Sequence, residues 1–440
     1  MSALDGSVVN TILPVIEQSF GSSISTVEWA VVVYLLVVSG LLLTFGRLGD
    51  IKGNKPVYLS GFILFISGSA LCGLSPNAWF LVAFRGLQAI GAAMLLSNSP
   101  AILTKSFSPA QRGRALGMQG TMTYLGLMVG PALGGFLTQQ FGWRAVFFIN
   151  VPVGFLALVL SIIFVPAEFV GTKDEKFDIA GAALFMAGLI ALLLGLNQGA
   201  SWGWSSPAIL GLFAIAVLFL VLFVNIEWRK PDPMLDLSLF RNRVFVAGTG
   251  SAILNYVGLY GIIFLMPFYL IQGRGLSPDK AGLLLTAQAL VMAITAPLSG
   301  TLSDKIGSRL PSTLGMLILA AGLFMLTRLD SQTSETYIAL ALATCGLGTG
   351  IFVSPNNSAM LGSAPRNRKG IASGVLATAR NVGMVLGVGM AGAFLTSGVQ
   401  QSPDLLYQAI RTGFVAASIA AFLGCLTSAV RGDEKTVRSR

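Results

Sequence analysis

The sequence predicts an all-α integral membrane protein: two six-helix bundles related by pseudo-two-fold symmetry, with two further helices inserted between them. Three observations carry this. The 440-residue chain is 54% hydrophobic and only 10% charged, against about 25% charged in an ordinary soluble domain. So apolar a chain cannot cover itself with polar surface, and its solvent is largely lipid. Its apolar runs are near or above the roughly 20 residues that cross a bilayer as a helix. Finally, a short charged turn occurs twice. Gly46-Arg47-Leu48-Gly49-Asp50-Ile51-Lys52-Gly53-Asn54-Lys55 returns as Gly300-Thr301-Leu302-Ser303-Asp304-Lys305-Ile306-Gly307-Ser308-Arg309, both reading G-x-L-x-D-x-x-G-x-[KR], with Asp304 254 residues beyond Asp50. An internal repeat in a membrane protein implies two similar halves about a central site.

Taken in order, the spans fall at 27–49, 56–75, 79–104, 115–139, 144–166, 178–199, 207–226, 243–271, 279–303, 309–328, 336–361, 370–396 and 409–430. The start differs. Residues 4–16 are apolar but short for a span, and Asp5 stands at their beginning, so a first helix missing its N-terminal half is expected. An intact one brings the total to fourteen. The expected organisation is an N-terminal bundle over 1–166, two additional helices with linkers over 167–242, a C-terminal bundle over 243–430 and a cytoplasmic tail over 431–440. The 254-residue shift fits this plan, because six spans with short loops occupy roughly 200 residues. No loop is long enough for a separate soluble domain.

The net charge of +10 raises the question of nucleic acid, and its distribution answers against it. With the first repeated turn placed inside, the outer side holds Arg144, Arg274, Lys280, Arg328 and Arg411, and Arg85 and Arg380 lie within spans. The remaining Lys and Arg are inside. By the positive-inside rule the C-terminus is cytoplasmic, and the expected location is the inner or plasma membrane. All six tryptophans (29, 79, 143, 202, 204 and 228) fall at expected span borders, as an aromatic belt would place them. Met1 runs almost directly into Leu4-Asp5 with no basic leader, so no cleavable signal is in view. Cys72, Cys345 and Cys425 are isolated in apolar runs, and the chain has no histidine. No disulfide framework, metal site or cofactor is therefore expected. HExxH and G-x-S-x-G motifs and paired acids are absent too, which argues against a membrane-embedded enzyme.

The repeated turn has a local logic. Asp50 and Asp304 suit a helix end, Gly46, Gly53, Gly300 and Gly307 permit close turns, and Lys55 and Arg309 hold the loop at the inner lipid surface. Inside the spans, polar residues are the informative ones. Arginine near mid-membrane costs about 2.5–3.5 kcal/mol on insertion scales and so faces a cavity or a partner. Arg85 therefore either fastens helices through a salt bridge or backbone carbonyls, or adjoins a cavity. Asp5 has two readings: a proton carrier inside the membrane, or a solvated residue at a ragged terminus. Burial favours the neutral acid and a nearby cation the carboxylate. Glu28, beside Trp29 at the outer end of the second helix, is a weaker candidate for the same role and reads first as a surface charge. Gly126, Gly130, Pro131, Gly134 and Gly135 put small residues at four-residue spacing, allowing close helix approach, while proline frees a carbonyl and bends the helix. The matching positions downstream are Gly383, Gly387 and Val388, so the bend is expected in the first half only. Arg380-Asn381 either touches substrate or satisfies backbone carbonyls. Gln88, Gln119, Asn255, Gln288, Asn356 and Asn357 either line a cavity or bond neighbouring helices.

These residues together carry a resemblance to the major facilitator superfamily, specifically its fourteen-span drug:proton antiporter branch. The repeated turn looks like that superfamily's signature between its second and third helices. Leu4-Asp5-Gly6-Ser7-Val8-Val9-Asn10-Thr11-Ile12-Leu13-Pro14 resembles the branch's first-helix pattern L-D-x-[ST]-[IV]-V-N-x-A-L-P, with Ile12 in place of alanine. Arg85-Gly86-Leu87-Gln88-Ala89-Ile90-Gly91 resembles R-x-x-Q-x-x-G. The run from Gly126 to Gly135 matches G-x-x-x-G-P-x-x-G-G, and Trp143-Arg144 through Gly154 is similar to the sixth-helix opening. The resemblance implies that Asp5 and Arg85 couple proton movement, that the Asp50 turn is a gate, and that the Pro131 bend seals the cavity. It implies proton-driven export of small, largely apolar compounds by rocking of two halves in a monomer. The partners are a small-molecule substrate and the lipid bilayer, and the proton is the coupling ion. A carrier for a metabolite such as an amino acid or sugar is the alternative on the same fold.

Overall fold

The structure is a computed structural model that describes residues 2–107, 109–166, 179–228, 237–365, 369–398 and 403–431. All regular structure among these residues is helical. The first seven helices are α1 (Ser2–Phe20), α2 (Ile24–Lys52), α3 (Asn54–Gly73), α4 (Ala78–Ser106), α5 (Pro109–Phe141), α6 (Ala145–Phe148) and α7 (Asn150–Phe164). The additional pair follows as α8 (Ile179–Trp202) and α9 (Pro207–Trp228). The rest of the chain forms α10 (Arg243–Pro267), α11 (Pro278–Ile306), α12 (Arg309–Leu326), α13 (Glu335–Ser363), α14 (Lys369–Gly398) and α15 (Pro403–Ala429). Two irregularities follow prolines. Pro152 has no N–H to give the Phe148 carbonyl, and the chain breaks between α6 and α7. After Pro267, α10 continues as a π turn over Phe268–Gly273.

Among the described residues, twelve helical segments are long and apolar enough to cross a membrane. They are α2–α4, α6 with α7, α8, α9, α10 with its π turn, and α11–α15. The count of fourteen drawn from the sequence is not reached on these terms. α1 and α5 fall outside the twelve: α1 spends Asp5, Asn10, Glu17 and Gln18 within its 19 residues, and the 33-residue α5 opens on a polar segment.

Side-chain caps start several helices. Ser23 accepts from the Thr26 N–H, Asn77 from Phe80, Asn242 from Val244 and Ser334 from Tyr337, each satisfying an amide that the helix leaves unpaired. The turns joining α2 to α3 and α11 to α12 pivot on Gly53 and Gly307, at φ 96° and 87°, a region that side chains beyond glycine rarely enter.

Clustering of contacts divides the chain into two compact units. The first comprises Met1–Gly126 and Leu137–Met234, the second Leu127–Phe136 and Leu235–Arg440. The helix pair read from sequence as an insertion thus packs with the first unit, α8 lying on α2 where a Cβ on Gly40 would come 3.0 Å from Met186. The α5 segment around Pro131 belongs to the second unit. Within that unit a Cβ on Gly135 would meet the Pro278 carbonyl, and one on Gly282 the Pro131 carbonyl, so α5 and α11 touch backbone to backbone.

The internal repeat extends into the packing. α2 and α11 are both 29 residues long, as are α4 and α13. In the first unit, Cβ atoms on Gly68 and Gly91 would lie 2.7 Å from Gln88 Cα and 2.4 Å from Phe65 N. In the second, those on Gly322 and Gly348 would lie 2.6 Å from Cys345 Sγ and 2.3 Å from Leu319 N. The same glycines at the same places let α3 press on α4 and α12 on α13, since without a hydrophobic force between helices in lipid, close backbone contact supplies the packing energy.

Candidate functional site: a buried carboxylate–guanidinium cluster

In the first unit Asp5 and Arg85 form a buried ion pair on which five helical segments converge. Asp5 of α1 and Arg85 of α4 are each only 1% exposed, and Arg85 Nη1 donates to Asp5 Oδ2 at 2.6 Å. The other carboxylate oxygen accepts from Gln88 Nε2 at 3.0 Å and Asn150 Nδ2 at 2.8 Å. Arg85 also donates to Gln88 Oε1 at 2.7 Å and, through Nε, to the Ala30 carbonyl at 3.3 Å. Its guanidinium lies 4.1 Å from the centre of the Tyr34 ring on α2, a cation–π contact strengthened by the burial of both partners. Asn150, opening α7, donates in turn to Ser69 Oγ of α3 at 3.1 Å, and Ser69 donates to the Phe147 carbonyl.

The arrangement explains the R-x-x-Q-x-x-G spacing in α4. Residues three apart share a helix face, so Arg85 and Gln88 present their polar ends to the same carboxylate. Gly91, one turn on, brings α3 close enough to add Ser69. Sequence reasoning singled out Asp5, Arg85 and Gln88. It missed Asn150, Ser69 and Tyr34 as members of the site, although an asparagine buried just before the apolar run of α7 was a usable signal. Burial excludes the reading of Asp5 as a solvated terminal residue. In the second unit, Leu342 and Cys345 stand where the repeat aligns them with Arg85 and Gln88, so this cluster has no counterpart there.

Other candidates fall elsewhere. Glu28, read from sequence as a surface charge, is 6% exposed. It turns inward toward Asn197 of α8, because the extra helix pair covers it. Trp143 is likewise not at a lipid border: it is 4% exposed, donates to Ser19 Oγ at 3.0 Å and packs edge-on against Phe20. Trp79, Trp202, Trp204 and Trp228 are exposed. The basic ends of the repeated turn cap helices and do not simply float at the lipid surface. Lys55 Nζ donates to the Ile162 and Val165 carbonyls at the end of α7, and Arg309 Nε donates to the Ala429 carbonyl at the end of α15. Each cation thus meets the negative end of the last helix of its own group. Gly46 and Gly300 lie against Ser97 and Ser354. The side chains of Asp50 and Asp304 lie outside the described part, as do the linkers 167–178 and 229–236 and the tail 432–440.

The remaining polar positions divide between the units. In the first, Gln119 donates to Ser99 Oγ at 2.8 Å. Ser7 Oγ reaches the Gly126 carbonyl at 3.4 Å. Gly130, Pro131, Gly134 and Gly135 of the second unit are buried. Asn356 donates to the Gly248 carbonyl and accepts from Arg431, which is buried although it was assigned to the tail. Asn255 Nδ2 contacts Met316 Sδ at 3.4 Å. The Asn255 carbonyl oxygen and the Gln288 amide nitrogen are buried without a hydrogen-bond partner among the described residues. Asn381 is 7% exposed, Asn357 and Arg380 are half-buried, and Arg380 Nε has no partner among the described residues.

Two repeated groups of membrane-crossing helices, with a charged cluster sealed inside the first and no catalytic constellation among the described residues, define a multi-span membrane transport protein. The Major Facilitator Superfamily profile matches residues 1–388 and 248–439, and the chain belongs to that superfamily. It is 36% identical over 402 residues to the riboflavin transporter RibZ of Clostridioides difficile strain 630, covering 91% of this chain and 86% of that protein. It is 33% identical to the multidrug transporter protein MdtP of Bacillus subtilis strain 168, over 90% of this chain and 73% of the other. Among solved structures, the peptide transporter POT in complex with sulfate superposes with a TM-score of 0.70 at 16% identity, covering 96% of this chain and 91% of that one. At that identity the likeness speaks for the fold, which is the major facilitator fold.

Proposed function

We propose that this transporter exports small lipophilic compounds, of the drug or antibiotic kind, in exchange for protons by alternating access. Asp5 is the proton carrier and Arg85 its partner. The observation that carries the reading is the ion pair itself. A proton and the Arg85 guanidinium compete for the same Asp5 carboxylate, so any rearrangement that withdraws one favours the other. The neutral donors Gln88 and Asn150 hold the carboxylate in place throughout. One proton moving inward gains about 2.3 kcal/mol per 100 mV of membrane potential, enough to drive uphill export. Relatives named as multidrug and tetracenomycin C resistance and export proteins support the same direction of transport. In this reading α1 and α5 also cross the membrane, giving the fourteen spans of the drug:proton antiporter branch. The protein works as a monomer in the inner or plasma membrane with its C-terminus cytoplasmic, and takes no cofactor besides the proton. The Asp50 turn acts as the gate and the glycine–proline run of α5 as the seal.

A second reading, a metabolite carrier on the same fold, is favoured by one observation, the 36% identity to a protein named as a riboflavin transporter. One experiment separates the two. In inverted vesicles holding a proton gradient, candidate drugs are added while a pH-sensitive dye reports the gradient, for wild type and Asp5→Asn. Drug-dependent collapse that the variant loses is the expected result. Collapse that persists in Asp5→Asn removes the proton role from that residue, and Glu28 becomes the next to test. Collapse with metabolites but with no drug replaces the first reading by the second.

A further inference from the structure

The two intramembrane arginines are treated oppositely. Arg85 has a built-in counter-ion. Arg380 of α14 has none among the described residues. It stands at the ninth position of the apolar span Ala372–Leu395, about 12 Å from the span's edge at 1.5 Å per residue. It makes no hydrogen bond or ion pair with any described residue, and its Nε is buried and unpartnered. The sequence makes a protein counter-ion unavailable nearby in its own unit. α14 packs against α10, α13 and α15, and the acids of these four helices are Glu335, the first residue of α13, and Asp404, the second of α15. An unpaired charge at such depth is costly, and where it is kept it marks a substrate or ion site.

Just beyond Arg380, α14 packs against a stretch of α10 that carries two tyrosines. Tyr260 of α10 lies within electrostatic reach of both Arg380 and Tyr256, and neither tyrosine hydroxyl bonds a described residue. Both tyrosines stand at points of close helix contact. A Cβ on Gly383 would sit 2.4 Å from the Ile253 carbonyl and 2.8 Å from Tyr256 Cβ, and one on Gly387 2.7 Å from the Val257 carbonyl and 3.1 Å from Tyr260 Cβ. The glycines of α14 thus press α10 close over the two turns that follow Arg380, the stretch against which both tyrosines lie. A guanidinium and two phenols with no carboxylate nearby suit an anionic oxygen group, and the rings suit a flat apolar body attached to it.

We infer that Arg380, with Tyr256 and Tyr260, receives the anionic group of the transported compound, so that the exported class is aromatic monocarboxylates and related amphiphilic monoanions and not quaternary cations. This rests on the export reading and narrows its substrate. It also fits the energetics, since an inside-negative potential itself drives an anion outward.

The test is equilibrium binding to the purified full-length protein in lipid nanodiscs, with matched trios on naphthyl and biphenyl bodies: the carboxylate, its methyl ester and the corresponding trimethylammonium. The carboxylates are expected to bind best, with Arg380→Gln weakening them at least tenfold and Arg380→Lys restoring part of the affinity. The melting temperature of the ligand-free Arg380→Gln protein is expected to equal or exceed that of wild type, because an unpaired charge within the membrane span has been removed. The inference is overturned if no carboxylate binds, if an ester or ammonium binds as tightly, or if Arg380→Gln binds carboxylates like wild type. A lower melting temperature in the ligand-free Arg380→Gln protein, with Arg380→Lys restoring stability but not affinity, would make the residue structural and overturn it as well. No proton gradient enters this measurement, so its outcome is independent of the Asp5→Asn vesicle result.

Discussion

Breaking the Asp5–Arg85 pair offers the sharpest test of the site. Asp5→Asn keeps the shape but removes the charge, and it puts an amide donor among Gln88 Nε2, Asn150 Nδ2 and Arg85 Nη1, which already donate at 3.0, 2.8 and 2.6 Å. Arg85, 1% exposed, is left as a buried charge whose remaining partners among the described residues include Gln88 Oε1, the Ala30 carbonyl and the Tyr34 ring. Removing one member of a buried pair typically costs about 3–5 kcal/mol. Arg85→Gln strands the carboxylate instead, softened by the two amides that still donate to it, so a loss near the lower end, about 3 kcal/mol, is expected. The double variant carries neither charge, and its loss should fall short of the summed single losses by about 2–3 kcal/mol. Reversible unfolding in mixed micelles, followed by circular dichroism, measures all four corners of this cycle. Single losses that add to the double loss within about 0.5 kcal/mol would refute the coupling that the geometry requires.

Three further outcomes follow from packing and local electrostatics. Gly91→Val places a side chain where even a Cβ would be 2.4 Å from Phe65 N, so a loss of about 1–3 kcal/mol or more is expected; wild-type thermal stability in detergent would contradict the α3–α4 contact. Lys55→Met and Arg309→Met remove the cations that cap α7 and α15 and should each cost about 0.3–1 kcal/mol, with faster amide exchange confined to the last turn of the capped helix. Asp330, in the turn between α12 and α13, accepts from the Thr333 hydroxyl and the Gln332 N–H, and these bonds hold its carboxyl below the ordinary carboxylate range. A depressed value stabilises the turn above the unfolded-state value of about 3.9 and is lost as the pH falls through the folded one. Amide protection at Gln332 should therefore fade in acid for wild type and be pH-independent in Asp330→Asn.

Much of this molecule is legible in its residues because lipid is an exacting solvent. A span must satisfy its own backbone and must be apolar, so from α2 to α15 the runs found in the sequence and the helices in the structure agree closely, apart from the starts of α5 and α15, which the structure extends by six residues each. The duplicated turn announced the two groups, and the packing glycines repeat with it. What escaped the sequence has a common cause. Glu28 read as a surface charge because nothing local reveals that α8 covers it. Trp143 read as a border residue because its partners, Phe20 and Ser19, lie more than a hundred positions away. Asn150 and Ser69 are ordinary residues of their own helices and become site residues only when α3 and α7 meet.

The sequence by itself determined the solvent, the helices, the duplication and which intramembrane residues carry charge, since each of these follows from composition and spacing along the chain. Tertiary structure alone decided how those charges are matched. Arg85 meets a carboxylate from a helix eighty positions away, whereas Arg380 meets none among the described residues. Pairing depends on which helix faces are brought together, and packing within each unit sets those faces.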